Sequence, residues 1–130
     1  MKNWTEDELI NAKHRIMNAK IESVDLDMSD HGCITLRMVI SGGGWGTIYG
    51  GYCLGHGYLG ADEFDSNKDA MVYIMKIMDT VGVSRFNDLA GKYVRVAEGP
   101  GRIIKIIGNV IKDQWFDAES FFKDLEKEEK

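Results

Sequence analysis

Residues 40–60, "ISGGGWGTIYGGYCLGHGYLG", hold nine of the chain's fifteen glycines, with Trp45, Tyr49, Tyr52 and Tyr58 set among them. No other segment restricts the fold as much. Such a stretch either cradles a phosphate or lets a tightly bent sheet close. A dinucleotide fingerprint needs GxGxxG between a strand and a helix. Here Gly44 and Gly46 are followed by Gly50, one residue too late, and the next element reads as strand. A P-loop needs Gly-Lys-Ser/Thr, which is absent. The segment therefore reads first as a strand in which Gly46, Gly50 and Gly51 mark a bulge, a bend or a close backbone approach. Bare amides beside Trp45 and Tyr49 also suit a flat base, whose stacking on an aromatic ring is worth about 1–3 kcal/mol.

Around this strand the pattern predicts helix, three strands, helix, two strands, helix. Thr5 with Glu8 forms a capping box, and Leu9, Ile10, Ile16 and Met17 share a face, so a first helix is expected to about Ala19. "IESVDLDM" (21–28) and "CITLRMVI" (33–40) alternate on either side of the turn "SDHG", with Ile34, Leu36, Met38 and Ile40 inward. Residues 55–67 read as a polar loop with the acidic run "ADEFD". Ser66 and Asp69 cap a helix over 67–81 that Gly82 closes. Its apolar residues (Met71, Val72, Ile74, Met75, Ile77, Met78, Val81) cover more than half the circumference, which calls for deep burial or a second subunit. "SRFNDL" reads as a short helical turn. "GKYVRVA" and "RIIKIIGNVI" read as a hairpin through Gly99-Pro100-Gly101. Asp117 caps a last helix with Phe121, Phe122 and Leu125, followed by the charged tail "EKEEK". Antiparallel neighbours with segregated helices define an α+β fold: a small sheet of about five strands in a single domain, 1–130.

Composition narrows the function. The 130 residues suffice for one core without disulfide staples, and 44% hydrophobic with 28% charged residues is ordinary globular usage. A formal charge of −5 argues against a nonspecific duplex-DNA binder. No secretory signal opens the chain, and no run approaches the ~18 apolar residues of a membrane span. The expectation is a cytosolic protein. Cys33 and Cys53 fit neither a CxxC pair nor a zinc spacing, so reduced core thiols are expected. A disulfide is geometrically conceivable if their strands pair.

No catalytic or metal pattern emerges. "DLDMSDHG" begins like a calcium loop, but its sixth position is Asp30 rather than Gly and its twelfth is Leu36 rather than Glu. His14, His31 and His56 stand at no metal-ligand spacing, and no GxSxG is present. The acid pairs Asp25/Asp27 and Asp62/Glu63 read as solvated faces. An enzyme is the less expected class, with no catalytic residue, cofactor or metal site assigned. The basic residues point elsewhere: Arg95 alternates outward from Val94 and Val96, Arg102 and Lys105 lie on the partner strand, and Lys112 follows. They make either an ordinary charged face or a phosphate cradle.

Together, "IESVDLDMSDHGCITLRMVI", "GGGWGTIYGGYCL", "VGVSRFNDLAGKYVRV" and "IGNVIKDQWF" resemble, in that order, a family of small phage proteins that includes the type 1 Thoeris anti-defence proteins. The match spans about residues 20 to 117. The resemblance implies a sponge: a protein in the cytoplasm of the infected host that binds a cyclic ADP-ribose isomer, or a cyclic oligonucleotide, without degrading it. It also implies a homo-oligomer, a dimer that can build a hexamer, with pockets at subunit boundaries. On motif position and chemistry, Arg95, Arg102 and Lys112 are assigned to the pyrophosphate and Phe86 to the adenine. The 43–51 backbone, Gly50 included, with Trp45 and Tyr49 is assigned to a wall, and His31 to a hairpin tip reaching a neighbouring pocket. An aromatic after a helical turn is more often core, which is the alternative for Phe86. The rival class is an inhibitor that docks on a host or defence protein through the acidic loop 62–65, and a third is an enzyme that cleaves cyclic nucleotides.

Overall fold

Thr5 accepts from the Glu8 amide through its hydroxyl while the Glu8 carboxylate accepts from the Thr5 amide, so the capping box forms. The helix it starts, α1 (Glu6–Asn11), is far shorter than the capping and spacing predict. The computed structural model, which describes residues 2–128, turns the chain at Lys13, φ 70°, and runs on as the sixteen-residue strand β1 (Arg15–Asp30). Sheet burial overrides helical spacing here. As a strand, the segment sends Ile16 to a cluster under α1 and Met17, Ala19 and Ile21 to the main core, and its backbone pairs with a strand that would otherwise be buried unpaired.

The remaining elements are β2 (Cys33–Gly42), β3 (Trp45–His56), β4 (Asp65–Ser66), α2 (Ala70–Val81), β5 (Tyr93–Glu98), β6 (Ile104–Gly108), β7 (Trp115–Asp117) and α3 (Ala118–Glu128). The α+β class holds. The sheet has seven strands rather than about five, in the order β4-β3-β2-β1-β5-β6-β7, every neighbour antiparallel. The two additional strands have two and three residues, too short for an alternation to register.

β1 is the spine. Its first part, Arg15–Lys20, pairs with β5, and from Lys20 onward it pairs with β2. The β1–β2 hairpin turns through His31 (φ 51°) and Gly32 (φ 78°), the two left-handed residues of a tight turn. The glycine strand is bent, as its composition requires. β3 carries two register shifts against β2, and Gly50 has φ 105° with Leu36 O only 2.3 Å from where a Cβ would stand. The bend lets the sheet curl: the hydroxyl of Tyr49 on β3 donates to the carbonyl of Lys105 on β6, 3.2 Å away and four strands across the order.

The main core lies inside this curl. Tyr73, Ile74 and Ile77 of α2, Phe121 of α3, and Leu36, Met38, Ile40, Val94, Val96 and Ile107 of the sheet are buried together. On the other face, α1 covers a second cluster of Leu9, Ala97, Ile106 and Trp115. Gly82 ends α2 with φ 92°, as expected. Its cap residue is Asp69, without a side-chain cap bond, and the Ser66 hydroxyl goes to the Asn67 carbonyl. Asp117 does cap α3, its Oδ1 accepting from the Ser120 amide at 3.0 Å. The side chain of Leu125 and residues 129–130 lie outside the described residues.

Cys33 and Cys53 are joined by a disulfide, their Cα atoms 5.3 Å apart, rather than reduced. Spacing along the chain hides this. In the β2–β3 ladder Cys33 faces His56 and Cys53 faces Thr35, so the two thiols become diagonal neighbours. No helix among the described residues is long and apolar enough to cross a membrane.

Candidate functional site

The residues assigned to a phosphate cradle do not converge. Arg95 sits on the outer face of β5 with its guanidinium already engaged. Nε donates to Asn109 O at 2.8 Å, Nη1 to Glu6 Oε1 at 2.8 Å and Nη2 to Lys112 O at 2.9 Å, and the plane lies 4.5 Å over the Trp115 ring. Its side chain is 14% exposed. Lys112 is exposed in the loop that Arg95 ties down, whereas Arg102 is exposed in the β5–β6 turn with φ 59°. Three residues of strand, 96–98, about 10 Å, separate that turn from Arg95.

The aromatic assignments divide similarly. Phe86 begins a 3-10 turn and packs half-buried against the main core. Tyr49 is buried, and Gly50 is required by the close approach of β2. Trp45 opens β3 with its ring against Gly42, where a Cβ would collide with it. His31 occupies the β1–β2 hairpin tip, at the end of β2 opposite Trp45.

A different constellation forms at the seam where β2 ends beside β1. Lys20 is in register with Tyr93 of β5 on one side and Ser41 of β2 on the other, so these three side chains form one row across the sheet. Period-two alternation adds Asn18 and Glu22 to that face of β1. With Gly42 and Gly43 they line a cavity of about 330 Å³, the low end of small-ligand pockets (~300–1,000 Å³). Nothing lies within 4 Å of where a Gly43 Cβ would stand, so its backbone is open to approach. The Lys20 ammonium is 6.0 Å from the centre of the exposed Tyr93 ring, and the Ser41 hydroxyl donates to Glu22 Oε1 at 2.6 Å. The site thus offers one cation, one aromatic face, bare backbone and a carboxylate that accepts from hydroxyl groups.

Among the described residues, three other cavities are lined by acids. Asp117 and Glu119 flank one with Trp4, His14 and Lys105, and a second with Lys123 and Asp124. Glu63 and Asp65 flank the third with His56. Each carries at least two acids, whereas Lys20 in the seam cavity stands beside Glu22 alone, so an anion meets less repulsion there.

The sequence pattern reaches the glycine backbone from 43 onward but passes over Gly42, Lys20 and Tyr93. Lys20 falls just past a segment read as helix, and Tyr93 reads as one more strand aromatic. The available signal was the register between strands, which becomes countable only once β1 is known to start at Arg15. No family model matches the chain, and no curated protein or solved structure matches it either.

Proposed function

We propose that the chain is a non-catalytic binding protein that captures a cyclic ADP-ribose isomer, or a related cyclic oligonucleotide, intact, as do the phage sponges it resembles. The row Tyr93–Lys20–Ser41 beside the open Gly42–Gly43 backbone carries this reading. Tyr93 takes the base, Lys20 and the glycine amides take phosphate oxygens, and Glu22 accepts from ribose hydroxyls. One lysine is too little for a pyrophosphate, so a second subunit completes the site. The outer face of α2 supports an oligomer: Met71 and Met75, one turn apart, are 64% and 62% exposed, with Val72 beside them.

The test incubates the purified chain with a panel of cyclic ADP-ribose isomers and cyclic oligonucleotides, filters it, and heats the retained fraction. A signal lost from the filtrate and recovered unchanged on heating is the expected result. Lys20→Ala and Tyr93→Ala abolish retention in this reading, while Arg102→Ala and Lys112→Ala test the cations assigned from sequence. A signal lost and not recovered means catalysis, and no loss of any signal sinks the sponge. In that last case the loop between β3 and β4 takes over. Exposed Tyr58, Leu59 and Phe64 among Asp62, Glu63 and Asp65 favour a surface that docks on a protein.

A further inference from the structure

Spacing along the chain denies Cys33, Cys53 and His56 a metal site, but the fold brings them together. One ligand atom from each lies within 4.8 Å of the other two. Register explains the meeting: Cys33 faces His56 across the β2–β3 ladder, and a shift of one residue swings Cys53 alongside. The backbone here is braced apart from the disulfide. Gly57 N donates to Gly32 O at 2.9 Å, the Asn67 side chain donates to Cys53 O at 2.6 Å, and Gly55 fits so closely that a Cβ would stand 2.5 Å from Asp65 O. His56 is oriented as well. Its Nδ1 is 2.9 Å from Asp65 Oδ1, which also accepts from the His56 amide at 3.0 Å.

We propose that reduction of the Cys33–Cys53 disulfide converts this corner into a Zn²⁺ site, with both thiolates and the His56 imidazole as ligands and water in the fourth position. Zinc bonds to sulfur at about 2.3 Å and to imidazole nitrogen at about 2.0–2.1 Å, which makes the edges of a tetrahedral site roughly 3.5–3.8 Å. Donors already within 4.8 Å reach those separations by small side-chain rotations. Asp65 is a positioning residue: a carboxylate on the imidazole of a zinc-ligating histidine fixes the ring and raises its basicity. A phosphine gives two electrons and leaves as the phosphine oxide, water supplying its oxygen and the two thiol protons; two equivalents of a small thiol give the same electrons and protons and leave as their disulfide. Zinc then displaces the two thiol protons. Disulfide and zinc exclude one another, so the corner reports redox state and metal supply together.

The test uses the full chain, reduced with a phosphine and then freed of excess reductant, with two free thiols confirmed by titration. Co²⁺ is the spectroscopic probe, and Zn²⁺ is measured by competition with a chromophoric chelator. Expected are thiolate-to-cobalt charge-transfer bands, tetrahedral d–d bands, one Zn²⁺ per chain and release of two protons. The disulfide form should show none of these. Cys33→Ser and Cys53→Ser remove the thiolate bands. His56→Ala and Asp65→Asn, which leave both sulfurs in place, lower the Zn²⁺ affinity, Asp65→Asn by about 10–100-fold. If the reduced chain loses its dispersed amide NMR spectrum, Zn²⁺ restores it. A reduced, folded chain without thiolate–cobalt bands overturns the proposal, as does zinc affinity unchanged in His56→Ala.

Discussion

Arg95 of β5 and Glu6 of α1, eighty-nine positions apart in sequence, meet at 2.8 Å over the Trp115 ring. The same guanidinium holds the carbonyls of Asn109 and Lys112, so one side chain fastens the first helix and the loop 109–112 to the sheet. Arg95→Ala should cost about 2–3 kcal/mol, the usual worth of hydrogen bonds to a charged group, and Arg95→Lys most of that because an ammonium cannot fork. Urea unfolding measures both. Nucleotide retention per folded chain should stay unchanged; wild-type stability with lost retention would return Arg95 to the ligand.

Glycines 43 and 50 differ in what an added methyl group would meet. At Gly50, φ 105° and the Leu36 carbonyl leave no room for a methyl group, so Gly50→Ala should cost about 2–4 kcal/mol. Gly43 has open space, and Gly43→Ala should leave the unfolding midpoint within about 0.5 kcal/mol of the parent. If its backbone meets phosphate, the same substitution weakens retention in the filter assay.

Tyr73 and Tyr49 lie in one core but differ in how their hydroxyls are satisfied. The buried Tyr73 hydroxyl has no hydrogen-bond partner among the described residues, while that of Tyr49 donates to the Lys105 carbonyl. Burial pushes both phenols above their ordinary pKa, so neither ionises near neutral pH. Tyr73→Phe should be neutral or stabilising, whereas Tyr49→Phe should cost about 1 kcal/mol and loosen β3 from β6. Thermal unfolding ranks the two, and the reverse order would contradict these bonding roles.

The hydrogen bond from His56 holds the Asp65 carboxyl below its ordinary pKa. A depressed carboxylate adds stability above its unfolded-state pKa and loses it as pH falls through the folded value. The β3–β4 pairing should therefore hold at pH 5 to 6, about one to two units above an ordinary aspartate near 3.9, and weaken below that value. Carbon-detected NMR titration of Asp65 checks the direction. His56→Ala should raise its midpoint, and an unmoved midpoint would show that His56 is not the cause.

Much of the fold was legible, and the failures share one cause. Leu36, Met38 and Ile40 declare β2 by alternation, Gly82 declares the end of α2, and the glycines declare the bend in β3. These signals are local. Residues 12–19 read as helix because Ile16 and Met17 continue the stripe of Leu9, yet both faces of that segment are covered and its backbone is needed by β5. Trp115–Asp117 is too short to alternate visibly. The Cys33–Cys53 bond and the Lys20–Tyr93 row exist only through register, which a list of spacings does not contain. Arg95 was recognisable as an outward cation, but its three acceptors come from the loop 109–112 and from α1.

Lys20 is the one residue of β1 in register with strands on both sides. The seven strands are therefore two antiparallel leaves, β2–β4 and β5–β7, bound along a spine and overlapping by a single rung. A molecule resting on Tyr93 of one leaf and Gly42–Gly43 of the other spans that rung like a clasp. A ligand held as proposed would tie the two leaves at one angle.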